Sequence, residues 1–484
     1  MAVGSKQWLR LTFATNRISY CSLLLLLPTA HCYYPMTLRA DLSDTLRLSI
    51  PIVIAQLSTV LMGVTDNLFV GRLLGATPLG AAGLANSMSF LLSSIGIGGL
   101  TVVAALVSQA NGRGSAADVH RSYRAGIRVA WLLSLALGGV MAIMALNFEW
   151  LGQTAEVNAL ARPFMLILSA SNVPLFIFIA ARQLCDGLRF PRVAMTITLV
   201  ALALNALFNY VFILGIGPFP ALGTQGSALA TLLSRVFMAG AMLWYIRRSV
   251  NFRAYFTPDF LRLPIADDVR KILRLGLPSG LTFFFEIALF TAAMIIIGWL
   301  GADRLAAHQI AINMASSTYM MATGVSSAAA IRVGSALGRG DGPGIRRAGL
   351  AAFMLSTLLM GFAGIIFFLF NNILVNLYIT DAPEVARIAA TLVFMAGFFQ
   401  LSDGIQVVGI GALRGLNDVN VPTVITLFSY WLVALPTSYL LGFTFGYDAA
   451  GVWVGLLVGL SVAALLLTVR FFRLADQRVF VIIP

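Results

Sequence analysis

Charge is scarce in this sequence. Only 11% of its residues are Asp, Glu, Lys or Arg, against about 25% in ordinary soluble domains. Hydrophobic residues make up 59% of the 484 positions, more apolar surface than one globular core can hide. The chain therefore reads as a polytopic membrane protein.

Lysine is nearly missing. Lys6 and Lys271 are the only two, and neither stands in a GxxxxGK motif, so the chain has no ATP-binding loop and no need of an ATPase partner is implied. Cys21, Cys32 and Cys185 offer neither metal-type spacing nor a disulfide framework. His31, His120 and His308 lie far apart without an HExxH pattern, which argues against a metal site and, with no Ser–His arrangement, against a membrane-embedded enzyme. The net charge of +13 comes from arginines in short loops between apolar runs. Such charges are topological signals, not a nucleic-acid surface.

Apolar windows of about 20 residues place twelve spans, near 47–71, 80–108, 124–147, 160–183, 191–214, 223–248, 275–299, 304–336, 348–371, 387–412, 420–445 and 449–472. The second and eighth are longer than a bilayer needs, so tilt, bending or extension past the surface is expected. With the N-terminus cytoplasmic, 27 basic residues fall on the inner side and only Arg72, Arg162, Arg304 and Arg387 on the outer. The positive-inside rule then puts both termini in the cytoplasm. Trp150, Trp299 and Trp453 near outer ends, and Trp244 near an inner end, read as interfacial aromatics. Lys6, Arg10 and Arg17 before Leu23–Leu27 resemble a weak signal peptide, but the favoured reading starts the chain at Met36.

The halves repeat. The stretch from Ile50 resembles that from Leu277, VSQANGRGS from Val107 aligns with VGSALGRGD from Val333, and Gly187–Arg189 falls on Ala412–Arg414. Offsets of 225–227 residues and an even six spans per unit predict two bundles related by a pseudo-two-fold along the membrane normal, with a cavity between them. The resulting layout is an N-terminal cytoplasmic segment at 1–46, an N-lobe at 47–248, a linker at 249–274, a C-lobe at 275–472 and a tail at 473–484. One chain supplies both halves of a cavity, so a monomer is expected.

Three acids stand inside spans: Asp66 in the first, Glu286 in the seventh and Asp403 in the tenth. A charged side chain at a helix centre costs roughly 2.5–3.5 kcal/mol on insertion scales. Arg235 is the only basic residue read as well inside a span, so a structural ion pair could account for one acid at most. The others need a cation, a proton or a cationic substrate, and a buried carboxyl can exchange protons near neutrality. Helical spacing sets Phe399 and Gln406 beside Asp403, and Thr282, Phe283 and Phe290 beside Glu286. Asn205 and Asn209, one turn apart in the fifth span, either glue helices together or offer oxygens to a hard cation such as Na⁺. The aligned partner of Asp66 is Ala293, so the halves have diverged chemically. Phe283, Phe284, Phe285 and Phe290 could instead face lipid or core, though an aromatic wall near an acid suits lipophilic cations.

The opening from Pro51 to Leu74, LAAHQIAINM at Leu305–Met314, IRVGSALGRGD at Ile331–Asp341 and SDGIQVVGIGALRG at Ser402–Gly415 together resemble the multidrug and toxic compound extrusion (MATE) transporters, over about 42–472. The NorM-type branch is most similar. That resemblance implies a multi-pass inner (plasma) membrane antiporter exporting lipophilic cationic compounds in exchange for Na⁺ or H⁺, with no cofactor. It implies cation coupling by Glu286 and Asp403 in the C-lobe and by Asp66, Asn205, Asn209 and Thr231 in the N-lobe. Phe283, Phe290, Phe399 and Gln309 are then expected to line the substrate cavity. Phe399 departs from the branch, where tyrosine is common four residues before the tenth-span aspartate, and this removes a hydroxyl from the C-lobe. The alternative, a lipid-linked oligosaccharide flippase of related fold, would line its cavity with cations for pyrophosphate; the arginines here lie at the cytoplasmic ends instead.

Overall fold

The structure is a computed structural model that describes residues 38–152, 154–379 and 382–480. Two units are distinguished: Met1–Asp41, of which only Leu38–Asp41 are described, and Leu42–Pro484. The expected signal-like segment and the start at Met36 lie outside the described residues.

Eleven helices among the described residues are long and apolar enough to cross a membrane. They are Leu38–Leu74, Ala76–Gly112, Ala116–Leu146, Ala155–Gly187, Pro191–Leu214, Thr224–Arg248, Ala266–Gly298, Gly342–Asn376, Pro383–Gly415, Asn420–Thr444 and Asp448–Gln477. Ala302–Gly338 is a twelfth helix, 37 residues long, in the place expected for the eighth span. Its sequence carries Gln309, Asn313, Ser316 and Ser317, all exposed, which dilutes its apolarity without shortening it. Between the halves, Val250–Tyr255 and Pro258–Leu261 form short helical turns.

The GRG repeat has a local physical meaning. Gly114 and Gly340 adopt φ of 73° and 71°, the left-handed region that glycine enters without a Cβ penalty. The next amide then reaches back to the preceding helix, Ser115 N to Ala110 O at 3.1 Å and Asp341 N to Ala336 O at 3.0 Å, closing it in a Schellman-type turn. Ser115 and Asp341 also cap the next helix, accepting from Asp118 N at 3.2 Å and Gly344 N at 2.7 Å. One short motif thus ends the second and eighth spans and starts the third and ninth.

The same offset governs packing between the lobes. A Cβ on Gly112 would lie 2.4 Å from the Ser335 carbonyl oxygen, and one on Gly338 would lie 2.1 Å from that of Gln109. Both pairs are related by 226 positions, as a two-fold contact requires. Farther up, Gly98 meets Ser279 and Gly280 of the seventh span, and its repeat partner Gly324 meets Val53 and Ser49 of the first. The Gly187–Arg189 register needs correction: Arg189 (φ 68°) and Asn417 (φ 63°) occupy equivalent turns, so Gly187 matches Gly415 and not Ala412.

These inter-lobe approaches and the hydrogen bonds from Ser279 Oγ to Gly98 O (3.1 Å) and from Gln109 Nε2 to Gly415 O (3.0 Å) lie in the half of the spans nearer the arginine-rich loops. In the other half, Thr59 and Asn67 of the first span are exposed, like the polar row of the eighth. Exposed amides and hydroxyls at such depth fit a water-filled cleft better than hydrocarbon.

Trp453 is not interfacial. It is 1% exposed and donates its indole Nε1–H to His308 Nδ1 at 3.1 Å, whereas Trp150, Trp244 and Trp299 are exposed as expected.

Candidate functional site

Asp66, Asn205, Asn209 and Thr231 come together in the N-lobe. Asn205 Nδ2 and Asn209 Nδ2 donate to Asp66 Oδ1 at 3.0 and 2.7 Å, and Thr231 Oγ1 donates to Oδ2 at 2.6 Å. The one-turn spacing of the asparagines aims both amides at one carboxylate, and Asn209 also donates to the Asn205 carbonyl at 2.9 Å. With the amide N–H groups so committed, Asn205 Oδ1 and Asn209 Oδ1 are buried without a donor among the described residues. An unsatisfied buried polar group costs about 1–3 kcal/mol. Two such acceptors beside a carboxylate suit a cation or a hydrated proton. Arg235, one turn past Thr231, donates to Ser171 Oγ at 2.6 Å and makes no ion pair with Asp66 among the described residues.

The C-lobe group is built differently. Gln406 Nε2 donates to Glu286 Oε1 at 3.0 Å, while the Tyr430 hydroxyl bonds to Gln406 Oε1. An amide oxygen only accepts, so Tyr430 must donate there; this fixes the amide and turns its N–H toward Glu286. Tyr430 sits in a π-helical stretch, Phe428–Ala434, ahead of Pro436, which cannot donate to the carbonyl one turn back. Such bulges re-aim side chains inside membrane helices. Asp403 is 2% exposed and its Oδ1 has no donor among the described residues; it lies close enough to Glu286 for their charges to interact.

Glu286 also faces the seam between the lobes. It lines a 90 Å³ cavity with Tyr319, Thr282, Phe283 and Arg414 of the C-lobe and Gln56 and Thr101 of the N-lobe. Tyr319 shares this cavity wall with Glu286. Arg414 corrects the expectation that Arg235 is the only deep basic residue: its side chain extends from the arginine-rich end of the tenth span into this cavity.

The expected substrate residues separate. Phe283 lines the central cavity. Phe290 and Phe399 form an edge-to-face pair, centroids 6.0 Å apart, and Phe399 also packs on Trp453 at 5.7 Å. At 3% exposure, Phe399 belongs to the C-lobe core in this conformation. Gln309 is exposed on the polar face of the eighth span, donating to Asn313 at 3.4 Å.

The MatE family profile matches this chain twice, at residues 51–211 and 278–440, one match in each half. The probable multidrug resistance protein NorM of Rhizobium meliloti is 37% identical over 443 residues, covering 89% of this chain and 93% of that protein. The multidrug resistance protein NorM of Burkholderia vietnamiensis is 34% identical over 448 residues, covering 90% and 95%. In fold, the chain is similar to a eukaryotic MATE transporter (TM-score 0.81, 19% identity, 91% and 98% covered). It is equally similar to an outward-facing multidrug resistance MATE family transporter (TM-score 0.81, 20% identity, 90% and 96% covered). The paired family match, falling on a structural two-fold, leaves one conclusion: this chain is a member of the MatE family.

Proposed function

We propose that this protein is a secondary active multidrug exporter that expels lipophilic cationic compounds in exchange for Na⁺ or H⁺. The observation that carries the reading is the pair of buried carboxylate groups, one per lobe, whose surroundings leave acceptor oxygens without donors. Binding a cation satisfies those oxygens, and losing it leaves them exposed to a low-dielectric interior. Each lobe therefore has a reason to change its packing with occupancy. Glu286 stands at the seam, where rearrangement of the lobes changes its solvent access.

The names of the curated relatives support a drug-like substrate, and the bacterial relatives support the inner membrane. With the arginine-rich side cytoplasmic, the seam closes the inner end and the polar cleft faces outward. Alternating access follows from opening that seam while the opposite cleft closes. Phe283 and the other aromatic side chains give a lipophilic cation apolar contact and a ring face.

The test is transport by purified protein in proteoliposomes, using a fluorescent lipophilic cation with Na⁺ and pH gradients imposed separately. Dye movement against its own gradient under either condition supports the reading. No movement under both, with translocation of a polyprenyl-pyrophosphate oligosaccharide instead, would replace it with the flippase.

A further inference from the structure

A separate cavity of 440 Å³ opens at the arginine-rich end, away from both carboxylate groups. Among the described residues its charged lining is Arg47, Arg189, Arg192 and Arg332, with Asp44 the one acid. Arg47, Arg189 and Arg192 form no ion pair with any described acid. Arg332 donates to Thr45 at one side. The Arg189 guanidinium is held below its ordinary range by desolvation, then by the charges of Arg332 and Arg339, with Asp44 opposing.

The pseudo-two-fold supplies an internal comparison. Arg189 occupies a left-handed turn that its counterpart fills with Asn417, a residue better suited to that backbone. Asn417 and Gln109 exchange amide hydrogen bonds, both at 3.0 Å, and the adjacent Asp418 pairs with Arg470 at 2.9 Å. The counterpart of Arg332 is Leu106 at the same 226-residue offset. On that side of the seam a smaller cavity of 70 Å³ sets Arg113, Arg121 and Lys271 against Asp118 and Asp268, with Arg121 paired to both acids, whereas the 440 Å³ cavity gathers four arginines around a single described acid.

We infer that this cavity binds a phosphate-bearing anion. Guanidinium groups match phosphate oxygens in charge and hydrogen-bond geometry, and the first turn of the fifth span, starting at Pro191, adds its positive dipole end. Leu48, Phe190, Val193 and Tyr245 complete the wall and offer apolar contact to the glycerol end of a phospholipid. Basic pockets between helices at the cytoplasmic surface recognise such headgroups. Since Arg47, Arg189 and Arg192 come from the N-lobe and Arg332 from the C-lobe, a bound anion bridges the seam on its closed side. It favours the conformation described here over one opened at that end.

The probes are cardiolipin, phosphatidylcholine and inorganic phosphate, with binding to the purified full chain read by native mass spectrometry. Wild-type protein should hold cardiolipin at least about tenfold more tightly than phosphatidylcholine, and Arg189→Gln/Arg192→Gln should lose that preference while Arg128→Gln, outside the cavity, keeps it. Arg47→Gln alone should weaken binding in the same direction, which protects the test should the double variant fold poorly. Displacement of cardiolipin by millimolar phosphate identifies free phosphate as a ligand; retention identifies the lipid headgroup. Equal binding by wild-type and all pocket variants, or no anion preference in wild-type protein, would overturn the inference.

Discussion

Gly112 and Gly338, equivalent positions in the two halves, touch each other across the seam: a Cβ on Gly112 would come within 3.2 Å of the Gly338 Cα. No side chain fits between these backbones, so the lobes close here only because both positions are glycine. Gly338→Val should therefore wedge the arginine-rich end apart. A cysteine at Ser108, buried at this contact, should then react with a membrane-impermeant maleimide added from the cytoplasmic side, and transport should fall. Protection unchanged from the parent would mean that the seam is not the closed gate.

The Tyr430–Gln406–Glu286 chain makes a second prediction. Tyr430→Phe removes the donor that fixes the Gln406 amide, yet leaves shape and apolarity nearly intact. A net hydrogen bond contributes about 0.5–1.5 kcal/mol, so export should fall by roughly two- to thirteenfold, with Gln406→Leu costing more because the carboxyl loses its direct donor. Wild-type rates for Tyr430→Phe in proteoliposomes would reduce Tyr430 to packing.

Phe399 bears on the identity of the coupling ion. It lies one turn before Asp403 and is buried against Phe290 and Trp453. Phe399→Tyr adds an oxygen near the C-lobe acids, and export should become more dependent on Na⁺, measured by dye efflux under Na⁺ and pH gradients imposed separately. An unchanged ion dependence would place residue 399 outside the ion shell.

Much of the N-lobe group was legible from sequence because its parts obey local rules: an acid inside an apolar run and two asparagines at one-turn spacing. The C-lobe group was less so. Gln406 shares the face of Asp403, but Tyr319, Tyr430 and Arg414 join Glu286 from other helices, or from a long side chain reaching inward. Helix rotation, and the register shift of a π-helical stretch, are set by packing that no single span encodes. Trp453 illustrates the same limit: position near a span end suggested an interfacial ring, whereas His308 on another helix supplies a buried partner. The GRG motif was visible as a repeat, but its double use as terminator and cap depends on backbone angles.

The most direct test of the account is gradient-driven export of a fluorescent lipophilic cation by proteoliposomes containing wild-type protein, Glu286→Gln, Asp403→Asn or Asp66→Asn, each reconstituted to equal density. Each substitution removes a charge but keeps size, so insertion and folding should persist. Glu286→Gln and Asp403→Asn should abolish export under both Na⁺ and pH gradients, and Asp66→Asn should reduce it severely with the C-lobe acids intact. Wild-type export by all three variants, with wild-type response to either gradient, would contradict the account.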